Sequence, residues 1–298
     1  MRAKILRFLK LYEDEVGLIL WTAALLFIIR SSGIILNNYA ETAFLKRYGV
    51  EYLPIVNMLN AVATFFITGL LTAFMGKMPG ARILSYLFIF SGIIIVLIRL
   101  LIPFGFNLLY PLLFMLKSQF ELLQALLFWN MCNDLFNTRQ SKRLFPLLTA
   151  GGVIGLILGS FGTPYFASLF SLDNLLYLYL CTTFAGAVIV QAMGRSYPTL
   201  IFPEKTAKEK KEKPSMIQEF KEVLPLIKDS ILIKIVLVLT FMPNVVIPIM
   251  NYQFNYAIDD QFASETAMIQ FFGYFRGGLY MISLFILLFV GRIYGRWG

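Results

Sequence analysis

Five basic residues lie inside long apolar stretches of a chain that has no histidine: Arg30, Arg99, Lys117, Lys234 and Arg276. A charge at the centre of a membrane-spanning helix costs about 2.5–3.5 kcal/mol on insertion scales, so such residues need a partner, a watery cavity or a function. Arg99 and Lys234 fall near the ends of their stretches, where a long side chain reaches the interface. The other three lie deeper. Arg30, Asn37 and Glu41 recur at helical spacings of seven and four and share one face. Lys117, Glu121 and Gln124 form one stripe, and Asn130, Asn133, Asp134 and Asn137 form another further along the same stretch. The last apolar stretch carries Gln270 and Arg276, and the one before it Asn244, Asn251, Gln253 and Asn255. One reading of Lys117 and Glu121 is an i,i+4 pair that neutralises itself. The other is a cavity for an anion, with Glu121 holding Lys117 until substrate arrives. Arg30 and Arg276 would grip phosphate or carboxylate oxygens with paired donors, and Lys117 would add a point charge.

Other chemistries are excluded or unsupported. Without histidine there is no Ser-His-Asp triad and no His/Cys metal site, and the two cysteines, Cys132 and Cys181, sit in apolar segments where a thiol packs as a small hydrophobe. No nucleophile–base pair stands out, so neither an enzyme nor a metal or cofactor site is expected. Gly151, Gly155 and Gly159, at four-residue spacing, present a bare helix face for close packing, and Gly273 and Gly277 repeat the pattern. No Gly-Lys-Ser/Thr follows them, so they do not form a phosphate loop.

The elements that carry these residues must be membrane helices. Of 298 residues, 58% are hydrophobic and 14% charged, against about 45–50% and about 25% in a soluble domain. A span needs about 20 mostly apolar residues, and eight stretches supply them: Val16–Leu45, Leu53–Phe74, Ile83–Ile102, Leu108–Leu135, Leu144–Phe166, Leu175–Met193, Ile231–Ile258 and Ser264–Ile293. The basic start, Arg2 to Lys10, precedes an uncleaved first span. Counted along alternating loops, one side collects Arg2–Lys10, Lys77, Arg82, Arg139, Lys142, Arg143, Arg195 and the lysines of 205–228, Arg292 and Arg296, whereas the other holds only Lys46 and Arg47. This is the positive-inside bias. The net charge of +9 therefore reports topology with a cytoplasmic N-terminus, and no nucleic-acid partner is implied.

Residues 195–229 form a basic, Lys/Glu-rich cytoplasmic linker in which Ser215 and Gln218 make a capping-box pair. Phe220, Val223, Leu224 and Ile227 give a short apolar stripe, so a surface-lying helix is expected there. Two landmarks recur across the linker. Asn38-Tyr39 matches Asn251-Tyr252, 213 residues on, and the Gly76–Gly80 loop matches Gly291–Gly295, 215 residues on. A Gly-x-x-x-Gly loop after the second span of each half is similar to that of major facilitator transporters, which pair two six-helix halves. The expected fold is thus an all-α, polytopic transmembrane bundle, major-facilitator-like. Residues 1–194 form a six-helix half, 195–229 the linker, and 230–298 two helices of a second, incomplete half. The chain then reads as a fragment or truncated product, whose partner would be the missing C-terminal helices.

The segment from Phe128-Trp-Asn through Asp134 and Lys142-Arg143 to Pro146, leading into Ala150-Gly-Gly-Val-Ile-Gly155, resembles the ATP/ADP translocase family of nucleotide transporters. Phe271-Phe-Gly-Tyr-Phe-Arg-Gly-Gly278 is similar to its divergent bacterial branch. The resemblance implies a twelve-helix bundle exchanging nucleotides or related phosphorylated anions by alternating access. Arg30, Lys117, Glu121 and Arg276 would then serve the phosphates, Asn130 or Asn133 the base or ribose, and Asp134, Arg139, Lys142 and Arg143 a cytoplasmic gate. The lipid bilayer, in a bacterial inner membrane, would be the other partner. The alternative is a scaffold or sensor that kept the bundle and lost transport.

Overall fold

A computed structural model describes residues 12, 13, 15–75, 78–202 and 230–297. Among them are eight helices long and apolar enough to cross a membrane: α1 (Val16–Arg47), α2 (Leu53–Met75), α3 (Gly80–Leu101), α4 (Leu109–Leu135), α5 (Thr138–Leu169), α6 (Leu175–Ser196), α7 (Ile231–Gln261) and α8 (Glu265–Trp297). The basic residues Arg2–Lys10, the loop residues Gly76 and Lys77, and the expected surface helix around Ser215 to Ile227 lie outside the described residues.

Successive helices run in opposite directions. The starts of α1, α3, α5 and α7 mark one face of the bundle, called here the Glu15 face, and their ends mark the Arg47 face. Two turns at the Arg47 face need positive φ and use glycine: Gly49 at 123° before α2, and Gly105 at 77° before α4.

Helix α1 is the hub, packing against α4, α5, α6 and α8. Three apolar layers follow its length. Ile19, Leu25 and Leu26 meet Leu84, Leu127 and Leu144 near the Glu15 face. Ile35, Leu36 and Tyr39 meet Ile95, Leu113 and Tyr179 midway, and Phe44 and Leu45 meet Phe114, Met268 and Phe272 near the Arg47 face. Helices α2 and α7 instead expose Phe65, Phe66, Leu70, Leu237, Val238 and Phe241, apolar surface that suits lipid tails.

The fifth helix starts six residues earlier than hydropathy indicates. Asn137 and Gln140 form a reciprocal capping box, the Gln140 amide donating to Asn137 Oδ1 at 3.0 Å and the Asn137 amide to Gln140 Oε1 at 3.1 Å. The polar first turns of α5, with Arg139, Lys142 and Arg143, are therefore helical and not loop.

Candidate functional site

The glycines of α5 bring the polar face of α1 into the middle of the bundle. A Cβ at Gly155 would lie 2.5 Å from the Phe27 carbonyl oxygen, and one at Gly159 2.8 Å from that of Ser31. Gly152 faces Leu26 and the Arg30 stem, while Gly151 only touches Ala23. From the other side, Gly273 and Gly277 of α8 face Pro164 and Phe161 of α5, where an added Cβ would lie 2.4 Å from the Pro164 ring and 2.8 Å from the Phe161 ring. Close backbone approach of this kind holds membrane helices together where no hydrophobic drive exists. It also sets Arg276, on the same part of α8, beside α1.

The geometry there is a shared ion cluster. Glu41 of α1 is buried and accepts from Arg276 Nη2, while Lys117 Nζ of α4 lies 3.7 Å from the same carboxylate oxygen. Its other oxygen accepts from Asn255 Nδ2 of α7 at 2.9 Å. Arg276 Nη1 also donates to Asn38 Oδ1 at 2.6 Å, and Lys117 donates to Asn37 Oδ1. Both cations lie over aromatic rings, Lys117 4.1 Å from the centre of Phe114 and Arg276 4.5 Å from that of Phe272, which favours a partly desolvated cation. Beside the cluster is a cavity of about 400 Å³ lined by Asn37, Glu41, Lys117, Asn255, Arg276 and Tyr280, among others. Ligand pockets run from about 300 to 1,000 Å³. Asn255 Oδ1 is buried without a hydrogen-bond partner among the described residues.

Of the residues singled out from sequence, Lys117 and Arg276 meet in this cavity. Arg30 and Glu121 form a neighbouring, more exposed pair at 3.4 Å. The i,i+4 pairing of Lys117 with Glu121 is therefore corrected: Glu121 answers Arg30, and Lys117 answers Glu41 and Asn37. Tyr280 lies within electrostatic range of both pairs. Three cations against two carboxylates leave one net positive charge. Gln124 departs from its stripe altogether, with Nε2 facing Tyr179 at 3.3 Å and Ser91 at 3.5 Å in the core.

Asn130 and Asn133 do not join the cations. They line a second cavity of about 360 Å³, between α2 and α4, with Thr68, Thr72 and Trp129. Thirteen residues separate Lys117 from Asn130, roughly 20 Å along a helix.

At the Glu15 face, Arg143 reaches Glu15 at the foot of α1, its Nη2 2.6 Å from Oε1, and lies over the Tyr12 ring. Gln140 donates to the same carboxylate at 2.9 Å. Burial opposes ionisation of Glu15, but the Gln140 and Tyr12 hydrogen bonds and the Arg143 charge outweigh it, so its pKa lies below the usual 4.5. Lys142, Arg139 and Asp134 are exposed on the same face. The Arg143–Glu15 pair joins α1 to α5, both within the first six helices.

Two more ion pairs that join the first six helices to the last two, besides Glu41–Arg276, lie at the opposite face, and sequence reasoning missed them. Arg47 forks onto Glu265 at 2.6 and 2.7 Å and also pairs with Asp173 at 2.9 Å. Lys46 pairs with Asp259 at 2.7 Å, and Tyr39 donates to Asp173 at 2.7 Å. The signal was present: Lys46 and Arg47 are the only basic residues in the loops of this face, and Asp173, Asp259 and Glu265 are among the acids at the ends of the spans beside them.

A family model described as TLC ATP/ADP transporter matches residues 120–298, from the middle of α4 to the last residue. No significant match is found among curated proteins or among solved structures.

Proposed function

The chain belongs to the TLC ATP/ADP transporter family, and from that premise we propose that Lys117 and Arg276 bind the phosphates of its nucleotide substrate. The chain is a membrane protein whose eight apolar helices and family mark it as a transporter of nucleotides of the ATP/ADP class. The observation that carries the site reading is the convergence of Lys117, Arg276 and a cavity of about 400 Å³ at the centre of the bundle. Arg supplies a fork of donors to phosphate oxygens, and Lys a compact charge. Arg30, next to the cavity, serves a further phosphate as Glu121 yields it.

Asn255, whose carbonyl oxygen has no hydrogen-bond partner among the described residues, is better placed than Asn130 or Asn133 to accept from a ribose hydroxyl or base amine. Those two asparagines act on the path toward the Glu15 face. The basic bias of that face supports its being cytoplasmic, with Asp134, Arg139, Lys142 and Arg143 at its entrance. The Phe271–Gly278 stretch supports a bacterial inner-membrane setting. Six helices moving against α7 and α8 fit an alternating-access carrier.

Equilibrium binding of nucleotides to the purified chain in lipid nanodiscs tests the phosphate assignment. ATP and ADP are expected to compete with one another and to lose most of their affinity in Lys117→Ala and Arg276→Ala, while adenosine competes weakly. Adenosine competing as well as ADP would refute phosphate recognition.

A further inference from the structure

Glu41 has no part in holding phosphate, yet the cluster converges on it. Its side chain is 10% exposed, pairs with Arg276 and Lys117 through one oxygen, and takes Asn255 through the other. Among the described residues that line the cavity it is the only carboxylate. A phosphate would offer these two cations the same thing that Glu41 offers, an anionic oxygen, and the same N–H donors cannot serve both fully.

We propose that Glu41 is a positioning residue that stands in for the substrate's phosphate in the empty site and is displaced when substrate binds. This inference rests on the phosphate assignment made above. Two physical consequences follow. Without Glu41, Lys117 and Arg276, both largely buried, would be left uncompensated, which destabilises the ligand-free protein. With it, the cations are available to substrate only for the fraction of time they are free, and apparent affinity falls by that fraction. Because Glu41 sits on α1 and its partners on α4, α7 and α8, its displacement also loosens the ties between α1 and the last two helices. Occupancy of the site is thereby coupled to how the helices sit against one another.

The test measures equilibrium binding of ADP, inorganic pyrophosphate and adenosine to the full chain in lipid nanodiscs, with thermal unfolding with and without ADP. Glu41→Gln is expected to bind ADP and pyrophosphate about tenfold tighter than the unsubstituted protein, with adenosine unchanged. Its ligand-free Tm is expected to fall, and ADP to raise it more than in the unsubstituted protein. Glu41→Asp, which keeps the charge but withdraws it by one methylene, serves if the Gln variant does not fold, and is expected to tighten binding by a smaller factor. A purely structural role for Glu41 would yield no gain in affinity. Unchanged or weaker ADP and pyrophosphate binding in both folded variants, while Lys117→Ala and Arg276→Ala still weaken it, overturns the inference and leaves the phosphate site standing. Binding insensitive to Lys117→Ala and Arg276→Ala removes the phosphate site and this inference together.

Discussion

A buried ion cluster makes the choice of partner at each residue the first determinant of behaviour. Lys117 has two carboxylates within reach of its helix, Glu121 one turn away and Glu41 across the α1–α4 contact. It takes Glu41 because the packing presents that carboxylate, together with Asn37, on the buried side. A one-dimensional reading sees the i,i+4 neighbour and cannot see the partner 76 residues away. At the Glu15 face the same logic has a measurable pH signature. The Glu15 carboxyl titrates below its ordinary value of 4.5 in the folded protein, so the folded state favours the ionised form. Its contribution to stability is therefore complete above about pH 4.5 and is lost as pH falls through the lower, folded-state pKa. Thermal unfolding of Glu15→Gln beside the unsubstituted protein should show a deficit at pH 6–7 that shrinks as the pH is taken below 4.5. A deficit independent of pH would mean that the Glu15–Arg143 pair does not titrate with folding.

Among the elements, α1 and α5 set the geometry of the site. The glycine spacing in α5 is visible in the sequence, and so are all eight spans, because twenty-odd apolar residues in a row admit one interpretation. The start of α5 is less visible. Its first turns are as polar as a loop, and only the Asn137–Gln140 capping box marks them as helix. Which helix the glycines face is not written in their spacing at all. That they lie against Phe27 and Ser31 depends on tertiary packing. Gly155→Ala would drive a methyl to 2.5 Å from the Phe27 carbonyl oxygen. A loss of about 1–3 kcal/mol is expected from such overpacking, read as a lower Tm in detergent micelles. Gly33→Ala, with nothing within 4 Å of the added methyl, is the control and should be neutral or slightly stabilising. Equal effects of the two substitutions would show that the α1–α5 approach is not tight.

For the whole molecule, two of the ion pairs between the first six helices and the last two lie at the Arg47 face. Lys46–Asp259 and Arg47–Glu265 span that boundary, and the buried Glu41–Arg276 pair spans it again further in. A carrier that alternates between openings must break such ties on one side at a time. Neutralising Asp259→Asn and Glu265→Gln together should let a water-soluble thiol reagent reach Asn37→Cys faster from the Arg47 side, in a background without the exposed Cys181. An unchanged labelling rate would mean that these pairs do not hold that face shut. The eight spans were legible in the sequence pattern, but the acids that pair with Lys46 and Arg47 stand at the ends of spans, where hydropathy is silent.

The central claim is that a nucleotide transporter binds its substrate's phosphates at Lys117 and Arg276. Exchange of labelled ATP into proteoliposomes loaded with ADP, carried out with the full chain, tests it most directly. Uptake that depends on internal ADP, and that drops at least about tenfold in Lys117→Ala and in Arg276→Ala while Cys181→Ala, at an exposed position outside the cavity lining, changes it little, is the expected result. Uptake unchanged by either cation substitution would contradict the account.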